Sequence, residues 1–152
     1  MRARKPLLLG FAIAIFSVMA FDKYPKNNNE AALKKVLFDY FNGIKNIDTA
    51  AMNSVTTRDI VIYEEGKEYN NDSVFRDMRS LIPYKVDFKF ENFSIFADKN
   101  SGFMSYYENA NFVVRDTIKF NLNFLGSAAF RKEGDEWKMC LLHSTQRYKR
   151  RR

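Results

Sequence analysis

Apolar side chains recur at three- and four-residue steps between residues 31 and 44, with charged and amide side chains between them. This is the period of an amphipathic helix with a single apolar stripe. The helix is expected to begin near Asn29 or Glu30 and to end at Gly43 or Asn46. Its stripe consists of Ala31, Ala32, Leu33, Val36, Leu37, Tyr40, Phe41 and Ile44.

A shorter helix and one short strand are expected next. Asp48 or Thr49 is a suitable cap for the helix, since its side-chain oxygen accepts a bond from the first turn. β-Branched and aromatic residues at 60–63 predict a short strand or a hairpin at the turn formed by residues 64–67.

A third helix is expected from a cap at Asn71 or Asp72 to the residues before Pro83, because proline and the residue preceding it disfavour helix. From Tyr84 onward the apolar period changes to two. That period is typical of strands with one buried face.

The alternation of the first long strand shifts by one residue near its middle. Phe88 and Phe90 keep one phase, whereas Phe93 continues out of phase. A bulge near Glu91 and Asn92 restores the buried face and bends the strand.

Three more strands follow, joined by tight turns. They are expected from Phe103 to about Val114, from residue 117 to residue 132 with a second bulge or bend at Gly126, and after the turn 133–135. Strands joined by short turns are antiparallel, so the helices must cover one face of the sheet. The predicted fold class is α+β, with N-terminal helices packed in the concave face of a strongly curved, mostly antiparallel sheet.

The last strand carries the only tryptophan and the only histidine of the chain. If the strand is regular, Trp137, Met139, Leu141 and His143 share one face, which suits either the wall of a cavity or the end of the core. Cys140 then lies on the opposite face, so that Cys140 and His143 do not form a metal site. Cys140 is the only cysteine and forms no intrachain disulfide. No metal or cofactor is expected.

The N-terminal segment, residues 1–20, has the pattern of an export signal. Basic residues at positions 2, 4 and 5 precede an apolar run from Leu7 to Ala20, after which cleavage is expected. The run is about 15 residues long, shorter than a membrane span, so export to the periplasm or the exterior is favoured over a membrane anchor. Residues 21–29 then form a linker, residues 30–147 one domain, and residues 148–152 a basic tail.

The net charge of +7 arises at the two ends of the chain. Residues 21–146 hold 17 basic and 18 acidic side chains. A domain without a basic face is not expected to bind nucleic acid specifically. A membrane is expected as a partner only if the export signal stays attached.

Two stretches resemble the SnoaL-like branch of the nuclear transport factor two-like superfamily, whose members have a cystatin-like cone fold. They are Asp59-Ile60-Val61-Ile62-Tyr63-Glu64-Glu65-Gly66-Lys67 and Gly134-Asp135-Glu136-Trp137-Lys138-Met139. The resemblance implies a cone with a central pocket, a homodimer formed through the outer sheet face, and a small apolar or polycyclic ligand. Neither stretch is a catalytic signature, so the resemblance assigns no catalytic residue.

Three functions are compatible with these features. The two favoured functions are an exported domain that binds a small apolar ligand and a dimeric interaction module. The alternative is an isomerase, dehydratase or cyclase in which His143 acts with Tyr63 or a nearby carboxylate, provided that these groups converge in one cavity. The carboxylates that could act with His143 in this way are Asp59, Glu64 and Glu108.

His143 and Tyr63 are therefore the catalytic candidates. Neighbouring residues on a strand face opposite sides, so one of Tyr106 and Tyr107 is expected to face inward and the other outward. The candidate pocket residues are Trp137, Met139, Leu141, His143, Tyr63, Tyr106 and Tyr107.

Overall fold

Three helices precede and flank a single curved sheet in the structure, a computed structural model that describes residues 28–147. The strands lie in the order β2-β1-β6-β5-β4-β3. All neighbouring strands are antiparallel except β1 and β6, which run parallel. The predicted α+β class with a mostly antiparallel sheet is confirmed. The elements are α1 (Asn28–Asn46), α2 (Thr49–Ser54), β1 (Thr56–Glu64), β2 (Lys67–Tyr69), α3 (Asn71–Ser80), β3 (Tyr84–Ala97), β4 (Ser101–Val114), β5 (Ile118–Glu133) and β6 (Glu136–Gln146).

The predicted export signal and basic tail lie outside the described residues, as does most of the predicted linker. The first helix begins at Asn28, one or two residues before the expected start. Across residues 28–147, no helix combines the length and the apolar character that a membrane crossing requires.

The apolar stripe of α1 lies in the concave face of the sheet. Leu33, Leu37 and Tyr40 have no exposed surface. Burying an aliphatic or aromatic side chain of this size stabilises a fold by about 1.5–3 kcal/mol, so the stripe anchors the helix. The Tyr84 hydroxyl of β3 also donates to the Ile44 carbonyl at 2.5 Å, which fixes the end of α1 against the sheet.

The two shorter helices are capped by side chains. Asp48 accepts from the Ala51 amide at 2.9 Å, as predicted for α2. Helix α3 is capped by Asn70, one residue before the expected cap, in a reciprocal arrangement with Ser73. Such pairs satisfy two amide groups that a helix start leaves free.

Helix α3 is attached to the rest of the fold by its first residue. Asn71 is 4% exposed, and its amide donates to Asn53 at 2.7 Å and to Thr56 at 2.8 Å. Val74 and Met78 follow at helical spacing and are partly buried against the core. The helix thereby presents a narrow apolar edge toward the sheet.

The first long strand, β3, bulges where its alternation predicted a bulge. Pairing with β4 shifts between Glu91 and Ser94, and Asn92 has a φ of 56°. The shift lets Phe90 before the bulge and Phe93 after it both pack against α1. The predicted bulge is confirmed, and it bends the sheet around the helix.

A second bulge lies in β6, where none was expected. Successive pairs with β5 involve Met139 and Leu141, which leaves Cys140 as an extra residue. The faces are reversed beyond this point, so that Leu142 is buried like Met139 while His143 is exposed. The expectation that Leu141 and His143 share the face of Met139 is wrong for this reason.

Gly126 marks a close approach rather than a bulge. It pairs regularly with Tyr106 on one side and Ser144 on the other, so a bulge at this position, one of the two predicted alternatives, is wrong. A Cβ atom at Gly126 would lie 2.4 Å from the Tyr106 ring. The glycine leaves the space that this buried tyrosine occupies.

Candidate functional site

A cavity of about 100 Å³ lies between α1, α3 and the inner face of the sheet. Its wall is mainly apolar and includes side chains from all the long strands. One water molecule needs roughly 10–15 Å³ of such a volume, so the cavity has room for a small molecule. The lining residues are Tyr40, Phe41, Ile44, Ile62, Glu64, Val74, Met78, Phe88, Glu108, Ala110, Phe112, Leu122, Phe124, Leu142 and Ser144.

Regular alternation places the two acidic side chains in this apolar wall. On β4 the even-numbered residues from Gly102 to Val114 are buried, and Glu108 keeps that phase. On β1 Glu64 follows the buried residues Ile60 and Ile62 at two-residue steps. Both carboxyl groups are therefore directed inward by the period of their strands.

Burial is the main influence on the pKa of Glu108, the more deeply buried of the two carboxyl groups. Glu108 is 6% exposed, and loss of solvation raises the pKa of its carboxyl group to about 8, with a smaller contribution from Glu64. At neutral pH the Glu108 carboxyl group is therefore mostly protonated and able to donate a hydrogen bond.

The second carboxyl group is less deeply buried. Burial also raises the pKa of Glu64, followed by repulsion from Glu65 and Asp77. Glu64 is only half-buried, so it ionises more readily than Glu108. The cavity thus combines a mostly neutral carboxyl group with one that carries charge more easily.

Two phenols lie beside these carboxyl groups. Burial, and then the charge of Glu64, raise the pKa of Tyr40. Burial is also the main cause of the raised pKa of Tyr106, followed by Glu108 and Tyr40. Both phenols are held in the neutral form that can donate a proton in a hydrogen bond.

Neither phenol hydroxyl has a hydrogen-bond partner within the part of the chain that the structure describes. Tyr40 lines the cavity, whereas Tyr106 lies deeper and packs against Gly126. Buried polar groups in folded proteins are rarely left without a partner. Tyr40 therefore brings an unpartnered buried donor to a residue position of the cavity lining.

The catalytic candidates named from the sequence lie on the other face of the sheet. His143 and Tyr63 are adjacent, with ring centroids 6.5 Å apart, and both are exposed. His143 Nε2 lies 3.2 Å from the Thr145 hydroxyl. The bulge at Cys140 is the physical cause, because it turns His143 outward, and the condition that His143 and a phenol converge in the cavity is not met.

The remaining pocket candidates separate into core and surface. Trp137 and Met139 are buried in the core but do not line the cavity. Tyr106 faces inward, and Tyr107 faces outward, where the Arg147 guanidinium lies 4.3 Å from its ring centroid. The expectation that these two tyrosines face opposite sides is confirmed. Leu141, next to the buried Leu142, lies on the outer side.

Tyr40 and Ser144 are cavity residues that the sequence did not single out. Tyr40 is one member of an apolar helix stripe, in which a core tyrosine and a ligand-facing tyrosine look the same. Regular alternation from Met139 predicts the outer face for Ser144, and the bulge at Cys140 reverses this and places Ser144 in the lining. Glu108 did leave a signal, because it is a charged residue in the apolar phase of β4.

No group of three or more histidine, cysteine, aspartate or glutamate side chains within residues 28–147 is arranged to hold a metal ion. The polar groups of the cavity are two carboxyl groups and two hydroxyl groups. Their chemistry is hydrogen bonding, proton exchange and attraction of positive charge.

The family model for the SnoaL-like domain matches residues 33–147. The match covers most of the chain, and the chain therefore belongs to the SnoaL-like domain family. The predicted resemblance is confirmed. No curated protein matches the sequence significantly.

Solved structures share the fold at low sequence identity. A nuclear transport factor two-like protein from Cytophaga hutchinsonii is 11% identical, with a TM-score of 0.66, over 79% of this chain and 98% of that one. A ketosteroid isomerase-like protein from Erwinia carotovora is 12% identical, with a TM-score of 0.62, over 79% and 97%. The association domain of the C. elegans calcium/calmodulin-dependent kinase II is 12% identical, with a TM-score of 0.64, over 78% and 95%.

Replacing Glu108 by glutamine is expected to reduce the pH dependence of stability. The folded state keeps a proton that the unfolded carboxyl group loses above its ordinary pKa of 4.5, so the free energy of unfolding falls as pH rises from 4.5 to about 8. The fall is on the order of 5 kcal/mol for this group. Glu108→Gln should therefore be more stable than the wild type at pH 8.5.

Denaturant melts at pH 5 and pH 8.5 measure this difference. Glu91→Gln, at an exposed position on β3, is the matched control and should keep the wild-type dependence. A Glu108→Gln variant with an unchanged pH dependence would contradict the assignment of Glu108 as a buried neutral acid.

Proposed function

We propose that this SnoaL-like domain binds a small, mostly apolar molecule in the cavity. The observation that carries the proposal is an apolar cavity whose lining includes Glu64, Glu108 and Tyr40, a residue with an unpartnered buried hydroxyl. Ligand sites typically combine an apolar wall with a few convergent polar groups.

The volume restricts the ligand. About 100 Å³ is less than the roughly 300–1,000 Å³ of sites for drug-sized molecules. The proposed ligand is therefore one ring or a short branched chain with a single polar group, rather than a polycyclic molecule. Its polar end meets Tyr40 and the carboxyl groups, and its apolar body meets Phe41, Phe88 and the neighbouring side chains.

Filling the cavity should abolish binding. Ala110→Leu adds three carbon atoms to the lining, whereas Ala129→Leu makes the same change on the neighbouring strand outside the lining. Native mass spectrometry of protein purified from its own host should show a retained small molecule in the wild type and in Ala129→Leu. The molecule should be absent from Ala110→Leu, and equal retention in both variants would refute binding in this cavity.

A proton-transfer enzyme of isomerase or dehydratase type is the second candidate. The specific observation is that two carboxyl groups of different burial face one apolar cavity beside the Tyr40 phenol. In such an enzyme Glu64 accepts a proton from the carbon atom next to the substrate's carbonyl group. Tyr40 and protonated Glu108 donate hydrogen bonds to the carbonyl oxygen. The residues differ from the predicted pair of His143 and Tyr63, which lies outside the cavity.

Deuterium exchange next to the carbonyl of a small cyclic ketone such as cyclohexanone, followed by NMR, tests this candidate. General-base catalysis contributes roughly 10²–10⁴-fold, so Glu64→Gln should lose about that factor. Glu65→Gln and His143→Ala should retain the activity. The opposite pattern, with loss only in His143→Ala, would restore the sequence-based candidate.

We also propose that the domain forms a homodimer through the outer face of the sheet. Tyr63, Phe103, Tyr107 and Leu125 are large exposed side chains on this side. Four asparagine side chains on β4 and β5 form a closed ring of hydrogen bonds of 2.7–2.9 Å. They are Asn109, Asn111, Asn121 and Asn123. Because these amides already bond to one another, covering them costs less than covering free polar groups.

Leu125→Arg should convert the dimer to a monomer, because it places a charge within the proposed contact. Ile118→Arg introduces the same charge at the exposed first residue of β5, away from Leu125 in the middle of the strand, and should leave the dimer intact. Light scattering coupled to size exclusion gives the mass of each. A monomeric wild type at micromolar concentration would exclude the proposed dimer.

We further propose export, on the basis of the basic start and the apolar run of residues 1–20. These residues lie outside the described part of the structure. The mass of the protein isolated from its host shows whether residues 1–20 have been removed, as export with cleavage after Ala20 predicts. The same native measurement shows any bound molecule as added mass.

A further inference from the structure

The charges that line the cavity are all of one sign. Two of its lining residues, Glu64 and Glu108, are acidic, and the lining contains no lysine, arginine or histidine. Its other polar groups are the hydroxyl groups of Tyr40 and Ser144. No hydrogen bond or ion pair within residues 28–147 engages either carboxyl group. A charge that forms on them therefore lacks a counterion in the described part of the chain.

The approach to the cavity has the same sign. An open groove between α3 and the β1–β2 hairpin shares Glu64, Val74 and Met78 with the cavity, so the two spaces adjoin. The groove also carries Glu65 and Asp77, against the single cation Lys67. A molecule that enters along this route meets a predominantly negative field.

Titratable groups reach Glu64 and Glu108 from only some of the surrounding elements. They are Tyr40 on α1, Tyr106 on β4, Asp77 on α3 and Glu65 after β1, while Lys67 on β2 lines the adjoining groove. The strands β3, β5 and β6 contribute apolar side chains and one serine to the lining. Nothing in the lining is suited to neutralise an anionic ligand.

We propose that the ligand of the cavity is a small apolar amine, bound as its ammonium ion by Glu64 and Glu108. The inference rests on the proposed binding function. An ammonium group offers up to three N–H donors, and the cavity offers carboxyl and hydroxyl oxygens as acceptors. Charge-assisted hydrogen bonds of this kind are about twice as strong as neutral ones.

Binding of the ammonium ion also affects protonation. A positive charge next to Glu108 favours the ionised carboxylate, so the group gives up its proton on binding. The proton passes to the buffer, and the measured enthalpy then depends on the buffer's ionisation enthalpy. A neutral ligand that accepts a hydrogen bond from protonated Glu108 causes no such release.

Three probes of similar shape and different charge separate these cases: benzylamine, benzyl alcohol and benzoate. Isothermal titration calorimetry of the protein at pH 7 gives the affinity for each probe. Repeating the titration in phosphate and in Tris, which differ in ionisation enthalpy, gives the number of protons released. Benzylamine is expected to bind about tenfold or more tightly than benzyl alcohol, with proton release, since it forms the charge-assisted bonds. Benzoate is expected not to bind.

Two variants test whether the preference for benzylamine depends on the carboxyl group of Glu64. Glu64→Gln should weaken benzylamine about tenfold while changing benzyl alcohol by less than about twofold, because only the charge is removed. Glu91→Gln, outside the cavity, should change neither. The preserved affinity for benzyl alcohol shows that the variant is folded.

The outcomes are distinct for the two proposals. If benzyl alcohol binds as tightly as benzylamine and Ala110→Leu removes both, the cavity is a ligand site but the amine inference is wrong. Tighter binding of benzoate would also overturn the inference. If none of the three probes binds, the amine inference and binding of a single-ring molecule in this cavity both fail.

Discussion

The desolvation of one carboxyl group dominates the electrostatics of the cavity. Glu108 lies on the apolar inner face of a curved sheet, where water does not reach it well enough to stabilise a charge, and its pKa rises to about 8. The neighbouring Glu64 and Tyr40 share the same low-polarity space. In addition to burial, the charge of Glu64 raises the pKa of both Glu108 and Tyr40, so the protonation states of these groups depend on one another.

The bulges of the sheet create that space. The bend at Asn92 wraps β3 around α1, and the extra residue at Cys140 reverses the faces of β6 so that Leu142 and Ser144 line the cavity. The same reversal puts His143 on the outer face. One insertion in the strand pairing thus decides which side chains of β6 face the cavity and which face the outer surface that we propose for dimer contact.

The sequence was informative where a single period dominated. The stripe of α1, the alternation of the long strands and the phase shift at Asn92 each predicted the observed structure. Cys140 gave no such signal, because Leu141 and Leu142 are both apolar and fill either phase of the strand. The face assigned to His143 failed for this reason, whereas the position of Glu108 in the apolar phase of β4 could have been used to locate the site.

The protonation of Glu108 is the most direct test of this account. The side-chain carboxyl carbons of ¹³C-glutamate-labelled protein can be followed by NMR as a function of pH, with the Glu108 signal assigned by its loss in Glu108→Gln. The midpoint is expected near 8 for the protein without added ligand. A midpoint near the ordinary value of 4.5 would show that the carboxyl group is solvated and would contradict a desolvated acid in an apolar cavity.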